Sequence, residues 1–114
     1  MVISMPRGDI RDVRFVVHNY DGTGTTDIDF DEIYVSFKTS TNTPNLLFQK
    51  KLTDGTITKE EPGVYQFRIE PGDTDSLRIG NYAFDIELVY ENLIKQTTVG
   101  VLEITPEVTY AENE

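Results

Sequence analysis

The sequence contains no cysteine and only one histidine, His18. Without cysteine there is no disulfide framework, no thiolate nucleophile and no sulfur-bound metal. A single histidine at the end of a predicted strand gives little basis for a Ser-His-Asp triad and none for a Cys-His pair or a multi-histidine metal site. We therefore predict a protein that is not an enzyme and holds no cofactor, with His18 as a solvated or hydrogen-bonded residue at the rim.

Basic residues are also scarce, because 20 acidic side chains face 10 basic ones and the net charge is -10. A field of that sign repels a phosphate backbone, so we expect no nucleic-acid partner. The apolar runs are far shorter than the roughly 20 residues of a membrane span. The first residues, which reach Pro6 at once, lack the pattern of a signal peptide. Composition thus predicts a soluble protein without a membrane partner or a standard secretion signal.

Apolar side chains that alternate with a period of two predict strands along most of the chain. The clearest strand is YAFDIELVY at 82–90, whose aromatic and aliphatic residues fall on one face. Further strands are predicted at 13–17, 33–38, 46–52, 56–58, 64–69 and 94–104. The inward parity of the last strand changes around Gly100, which predicts a β-bulge there. No segment has the pattern of a long helix.

About seven short strands separated by Gly-containing turns predict an all-β protein, an immunoglobulin-like antiparallel β-sandwich. The segment GNYAF at 80–84 fits this fold. It begins with Gly80, Tyr82 starts the strand after a corner between the sheets, and Phe84 is the core residue two positions later. The preceding corner predicts a short helical turn, with Leu77 closing the end of the core.

One domain is the default for 114 residues, since such a chain removes about 65% of its unfolded surface on folding. We place the domain at residues 1–105. The segment 106–114 begins at a proline and becomes acidic, so it is predicted to be a tail or connector.

Three aspartates, Asp27, Asp29 and Asp31, are the best candidates for a cation site, because Ca²⁺ takes several oxygen ligands at about 2.3–2.6 Å. The loop before them does not follow the EF-hand order. Apolar parity also changes between Phe30 and Ile33, which predicts a bend at 31–32. Carboxylates at a bend are usually solvated, and a calcium site is the alternative.

Several segments together resemble a known class of protein. They are RGD at 7–9, IYVSFK at 33–38, QKK at 49–51, and the runs 69–88 and 100–109. The most characteristic piece, at 71–86, is Pro-x-Asp-Thr, then Leu, then Gly-x-Tyr-x-x-Asp-Ile. Nearly the whole chain is similar to small immunoglobulin-like proteins of tailed bacteriophages and prophages, such as the N-terminal sandwich of a baseplate upper protein.

The resemblance implies a virion component that acts by binding and assembly and has no catalytic residues. It implies that Gly8 and Asp9 turn the chain into its first strand, which we prefer to a receptor-binding role for RGD. We predict a structural or assembly module of a tail, baseplate or capsid that binds other virion proteins and forms homo-oligomers. It would be found in the host cytoplasm before assembly and in the virion afterwards. The alternative is a carbohydrate-binding or adhesive module that uses rim aromatics, Tyr34, Tyr90 and Tyr110.

Overall fold

A computed structural model of the chain describes residues 1–19, 22–40, 42, 45–91 and 93–106, with the backbone alone at 93–96. The elements in chain order are β1 Val2–Pro6, β2 Arg11–Val16, β3 Glu32–Lys38, β4 Leu46–Lys51, β5 Ile57–Glu61, β6 Val64–Ile69, α1 Pro71–Thr74, β7 Gly80–Tyr90 and β8 Leu93–Thr105. Residues 107–114 of the predicted tail, which include Tyr110, lie outside the described residues.

The strands form two sheets that pack as a sandwich. The large sheet has the order β1-β8-β7-β3-β4, and the small sheet has the order β2-β6-β5. The prediction of an all-β sandwich with a short helical turn is confirmed. Two details differ from expectation: the described residues form eight strands, and β1 pairs with β8 in parallel. Strand β1 was not predicted, because five residues that end at a proline are too few to mark a strand by alternation.

The core lies between the sheets and is rich in aromatic rings. Alternation directs Ile33, Val35 and Phe37 of β3 inward, and all three are fully buried. The Phe37 ring stacks on Phe48 at a centroid distance of 4.2 Å and meets Phe84 at 5.3 Å. Such contacts add to the free energy of burying the rings themselves. The inward faces predicted for β3, β6 and β7 are therefore those of the structure.

The predicted bulge at Gly100 is wrong. Gly100 pairs in regular register with Phe84, and the register shift of β7 and β8 lies nearer their hairpin, between Leu88 and Val89. Gly100 is itself an inward, buried residue. A Cβ at this position would lie 2.4 Å from the Phe84 ring and 2.8 Å from the Met1 carbonyl oxygen. The glycine leaves space for that ring, and its missing side chain produced the apparent change of parity.

The corner between β6 and β7 joins the two sheets. Its helical turn α1 has a capping box, in which Asp73 accepts a hydrogen bond from the Glu70 N–H at 2.8 Å. Leu77 packs against the core beyond the turn. The Tyr82 hydroxyl donates to the Arg78 carbonyl at 2.7 Å, which is the hydrogen bond of a tyrosine corner. Gly80 has a φ of +148°, a conformation that L side chains rarely adopt.

Candidate functional site

The outward side of the large sheet, which we call the large-sheet face, carries exposed valines. Cross-strand register places Val2 beside Val101 and Val101 beside Ala83, while Val99 stands in the next row. The exposed fractions of Val2, Val99 and Val101 are 67%, 55% and 39%. We call these three residues the valine patch. Clustered apolar side chains in water are typical of a surface that binds another molecule.

A shallow hollow of about 370 Å³ lies next to the patch, above β7 and β8. Val99 and Val101 form one wall, and Thr39 and Asn81 contribute polar groups to its rim. The small side chain of Ala83, which also lines the hollow, leaves this space open. The valine patch therefore has a depression beside it that can receive a side chain.

Carboxylates border the valine patch. Asp85 is the cross-strand neighbour of Val99, and its Oδ2 lies 3.8 Å from Lys38 Nζ. Its Oδ1 is buried and has no hydrogen-bond partner among the described residues. On the other side of the patch, Glu103 accepts a hydrogen bond from the Ser4 hydroxyl at 2.7 Å. An under-paired carboxylate thus lies beside exposed apolar surface.

The outward side of the small sheet, the small-sheet face, is different in character. Arg68 donates two hydrogen bonds to Asp12, at 2.8 and 3.2 Å. These hydrogen bonds hold the pKa of Asp12 below its ordinary value. Arg14 lies 3.9 Å from Glu61 at the same face. The charged groups of this face pair with one another and stay in water.

A groove of about 370 Å³ lies beside the small sheet, toward β4. Lys50, whose side chain is 9% exposed, lines it and donates to Asp73 at 2.7 Å. The rest of the lining includes Thr56, Thr58 and Gln66, and its aromatic residue, Phe67, is buried. Most residues that line the groove are therefore polar, and its aromatic ring is not open for stacking on a sugar.

The two edges of the large sheet are partly covered. At β1, Pro6 has no N–H to donate, and Arg11 Nη1 donates to the Ser4 carbonyl at 2.8 Å. At β4, Thr56 Oγ1 accepts a hydrogen bond from the Lys51 N–H at 2.7 Å. Covered edge groups hinder the addition of a strand from another chain. The geometry thus favours the face over the edges for binding.

The three candidate calcium ligands do not converge. Asp27 is exposed, Asp29 pairs with Lys59, and Asp31 accepts a hydrogen bond from the Glu91 N–H at 2.7 Å. Within the part of the chain that the structure describes, no three His, Cys, Asp or Glu residues are grouped to hold a metal ion. Asp29 and Asp31 make structural contacts, and Asp31 ties the start of β3 to the hairpin of β7 and β8.

The RGD tripeptide forms the turn between β1 and β2. We expected it ahead of the first strand, and this detail is wrong because β1 precedes it. Gly8 has a φ of +79°, and its N–H donates to Thr74 Oγ1 at 2.9 Å. Arg7 donates to the Leu77 carbonyl at 3.3 Å. The turn is fastened to the corner, so the Arg7 side chain does not project freely toward a receptor.

The remaining candidates lie at separate places. His18 is exposed and forms an isolated bridge with Thr25. Tyr90 packs partly buried against the core, and Tyr34 is half-buried with Lys51 Nζ 5.9 Å from its ring centre. Tyr34 and Tyr90 therefore do not form the exposed aromatic surface that the carbohydrate-binding alternative predicts. The valine patch was not predicted, although β8 carries apolar residues on both of its faces.

A scan against protein-family models finds no match for this chain, and a search of the curated proteins finds no similar protein. In the described segments of the chain, no helix has the length and apolar character needed to cross a membrane. The resemblance to phage proteins therefore depends on the sequence segments quoted above.

Proposed function

We propose that this chain is a non-enzymatic structural or assembly module of a tailed-phage particle, which binds other virion proteins through the large-sheet face. The valine patch is the observation that supports binding. Val2, Val99 and Val101 stand side by side in solvent. The resemblance of the sequence to small phage immunoglobulin-like proteins supports the virion context.

The physical reason is the free energy of exposed apolar surface. Covering such surface is favourable by about 25 cal/mol per Å². The surface that these side chains still expose in the folded chain contributes nothing to folding, so its free energy is released only when a partner covers it. Apolar patches with polar rims are typical of protein interaction sites. The paired charges of the small-sheet face and the covered edges offer less to a partner.

Two parts of the proposal concern assembly. The module would occupy the virion, after an earlier stage in the host cytoplasm, and would be present in symmetric copies. Self-association of the isolated chain stays a prediction. Sedimentation across a wide concentration range tests it, and a monomer at all concentrations would show that copies meet only through other virion proteins.

The test of the binding face is co-expression with the proteins of neighbouring genes, among which we expect tail, baseplate or capsid proteins. We expect one of them to co-purify with the wild-type chain and not with a Val99→Glu/Val101→Glu variant. Arg14→Glu, on the small-sheet face, is the matched control and should still co-purify. Loss of binding in the control alone, or no binding by any neighbouring protein, would contradict the proposal.

Carbohydrate binding is the alternative function. The feature that favours it is the polar groove, whose lining of Thr56, Thr58 and Gln66 could make hydrogen bonds to a sugar. The buried state of Phe67 weighs against it because sugar sites commonly use an open ring. A glycan array distinguishes the two functions: the assembly module gives no signal, and a groove ligand gives one that Gln66→Ala removes.

A further inference from the structure

We infer that the partner of the valine patch presents a large apolar side chain flanked by lysine or arginine. This inference rests on the proposed function and adds the chemistry of the partner. Three features carry it: the exposed valines, the hollow beside them, and the carboxylates at the rim.

The hollow selects an apolar side chain. Val99 and Val101 give it an apolar wall, and Ala83 lines it without filling it. A side chain that entered would cover the valines and expel water from both surfaces. The hydrophobic effect therefore supplies affinity but does not select the charge of the partner.

The rim selects a cation. Asp85 has a side chain 21% exposed, and Lys38, at 3.8 Å from its Oδ2, is beyond the ordinary length of a hydrogen bond. The Oδ1 of Asp85 is buried and has no hydrogen-bond partner within the described residues, so a cation from a partner would meet only the exposed remainder of this side chain, while Glu103 on the other side of the patch is exposed. An incoming lysine or arginine would supply hydrogen-bond donors that carry positive charge. Hydrogen bonds to a charged group are stronger than those between neutral groups.

A second copy of this chain is a poorer occupant. A two-fold interface places the same patch of each copy against the other, so the carboxylates of Asp85 and Glu103 would be brought close to those of the second copy. The net charge of -10 adds repulsion between copies. A partner with basic residues avoids both sources of repulsion, and its association would be faster at low ionic strength.

The test is a nuclear magnetic resonance titration of the isotopically labelled full chain with three short synthetic peptides. One peptide has a leucine between arginines, the second has glutamates in place of the arginines, and the third has glycine in place of the leucine. We expect the first peptide to shift the amide signals at 81–85 and 99–101. The other two should bind more weakly, and added salt should weaken the first.

Variants separate this inference from the proposed function. Asp85→Asn should weaken the first peptide by about threefold, as expected for a partly exposed ion pair. Asp27→Asn, an exposed carboxylate outside the large-sheet face, is the control and should change nothing. The backbone spectrum of each variant shows that it is folded.

The possible failures are distinguishable. If the glutamate peptide binds the same amides as tightly as the arginine peptide, the basic partner is wrong while the interaction face stands. If the same amides shift with the concentration of the protein alone, a second copy is the occupant and the inference is overturned. If no peptide shifts residues 81–85 or 99–101, the inference fails, and co-purification with neighbouring proteins then decides the proposed function independently.

Discussion

The outward faces of the two sheets carry different kinds of cross-strand pair. On the small-sheet face, Asp12 and Arg68 stand opposite each other and form a double hydrogen bond. On the large-sheet face, Val2 and Val101 stand opposite each other in solvent. Cross-strand neighbours stabilise a sheet in both chemistries. The difference therefore concerns what each face presents to its surroundings, which is paired charge on the small sheet and exposed apolar surface on the large sheet.

The inner faces of the two sheets do not differ in this way, because both must be apolar to be buried in the core. Phe15 of β2 and Phe84 of β7 are both buried in the shared core. Binding surfaces are thus most visible where alternation fails to produce a polar outward face. In this chain that place is β8, where Val101 and Leu102 are apolar neighbours on opposite sides of the sheet.

The largest effect on the free energy of unfolding should come from Gly100→Ala. This substitution tests whether the glycine between Val99 and Val101 is needed to hold β8, and with it the valine patch, in place. The added Cβ would meet the Phe84 ring at 2.4 Å and displace either the ring or β8. We expect a loss of about 1–3 kcal/mol in the free energy of unfolding, as for other overpacked cores. Urea denaturation measures it.

Gly72→Ala is the control for this substitution. A Cβ at Gly72 meets nothing within 4 Å, and its φ is outside the left-handed region. Alanine there should be neutral or slightly stabilising, since it also restricts the unfolded chain. Equal stability of the two variants would show that β8 can move away from Phe84, and the large-sheet face would then be softer than the structure indicates.

A smaller effect should follow from Tyr82→Phe, which removes the hydrogen bond to the Arg78 carbonyl. This bond fixes the corner that joins the sheets and so orients one outward face relative to the other. We expect a loss of about 0.5–1.5 kcal/mol, the usual net value of one hydrogen bond. Tyr34→Phe, on the large-sheet face, should cost less. If both variants match the wild type in thermal melts, the corner bond is dispensable.

Much of the fold could be predicted because core residues alternate with a clear period. Phe37 and Phe84 were placed inward from sequence alone, and both are buried. Gly100 misled the prediction because a buried glycine contributes no apolar signal. A glycine is needed at this position because the ring of Phe84, a residue distant in sequence, occupies the space of a side chain. Only the pairing of β7 with β8 reveals that contact.

The candidate site was less predictable. Val99 and Leu102 have similar hydropathy, and local sequence does not tell which of them faces the partner sheet. The parallel pairing of β1 with β8 brings Val2 to the patch from the other end of the chain. Patches built from residues far apart in sequence leave no motif, so the face emerges only once the register is known.

A still smaller effect on stability is expected from Val99→Thr. Valine and threonine are both β-branched and suit a strand, and Val99 is 55% exposed, so the free energy of unfolding should change by no more than about 0.5 kcal/mol. Binding of the partner should fall, because the hydroxyl replaces apolar surface. Val16→Thr, at an exposed valine of β2, should leave both properties unchanged. A loss of unfolding free energy well above about 0.5 kcal/mol in Val99→Thr would mean that Val99 stabilises the fold instead of serving binding.

The smallest effect should come from Asp12→Asn, and pH gives it a recognisable form. Arg68 lowers the pKa of Asp12 in the folded chain below the ordinary 3.8, so the pair stabilises the fold above that pH and ceases to do so as pH falls through the lowered value. Thermal melts of the wild type and the variant should differ slightly near neutral pH and converge in acid. Concentrated salt should also remove the difference, since the pair is exposed. A difference that survived both treatments would mean that Asp12 and Arg68 do more than keep the small-sheet face in water, and the contrast between the two faces would lose its simplest physical cause.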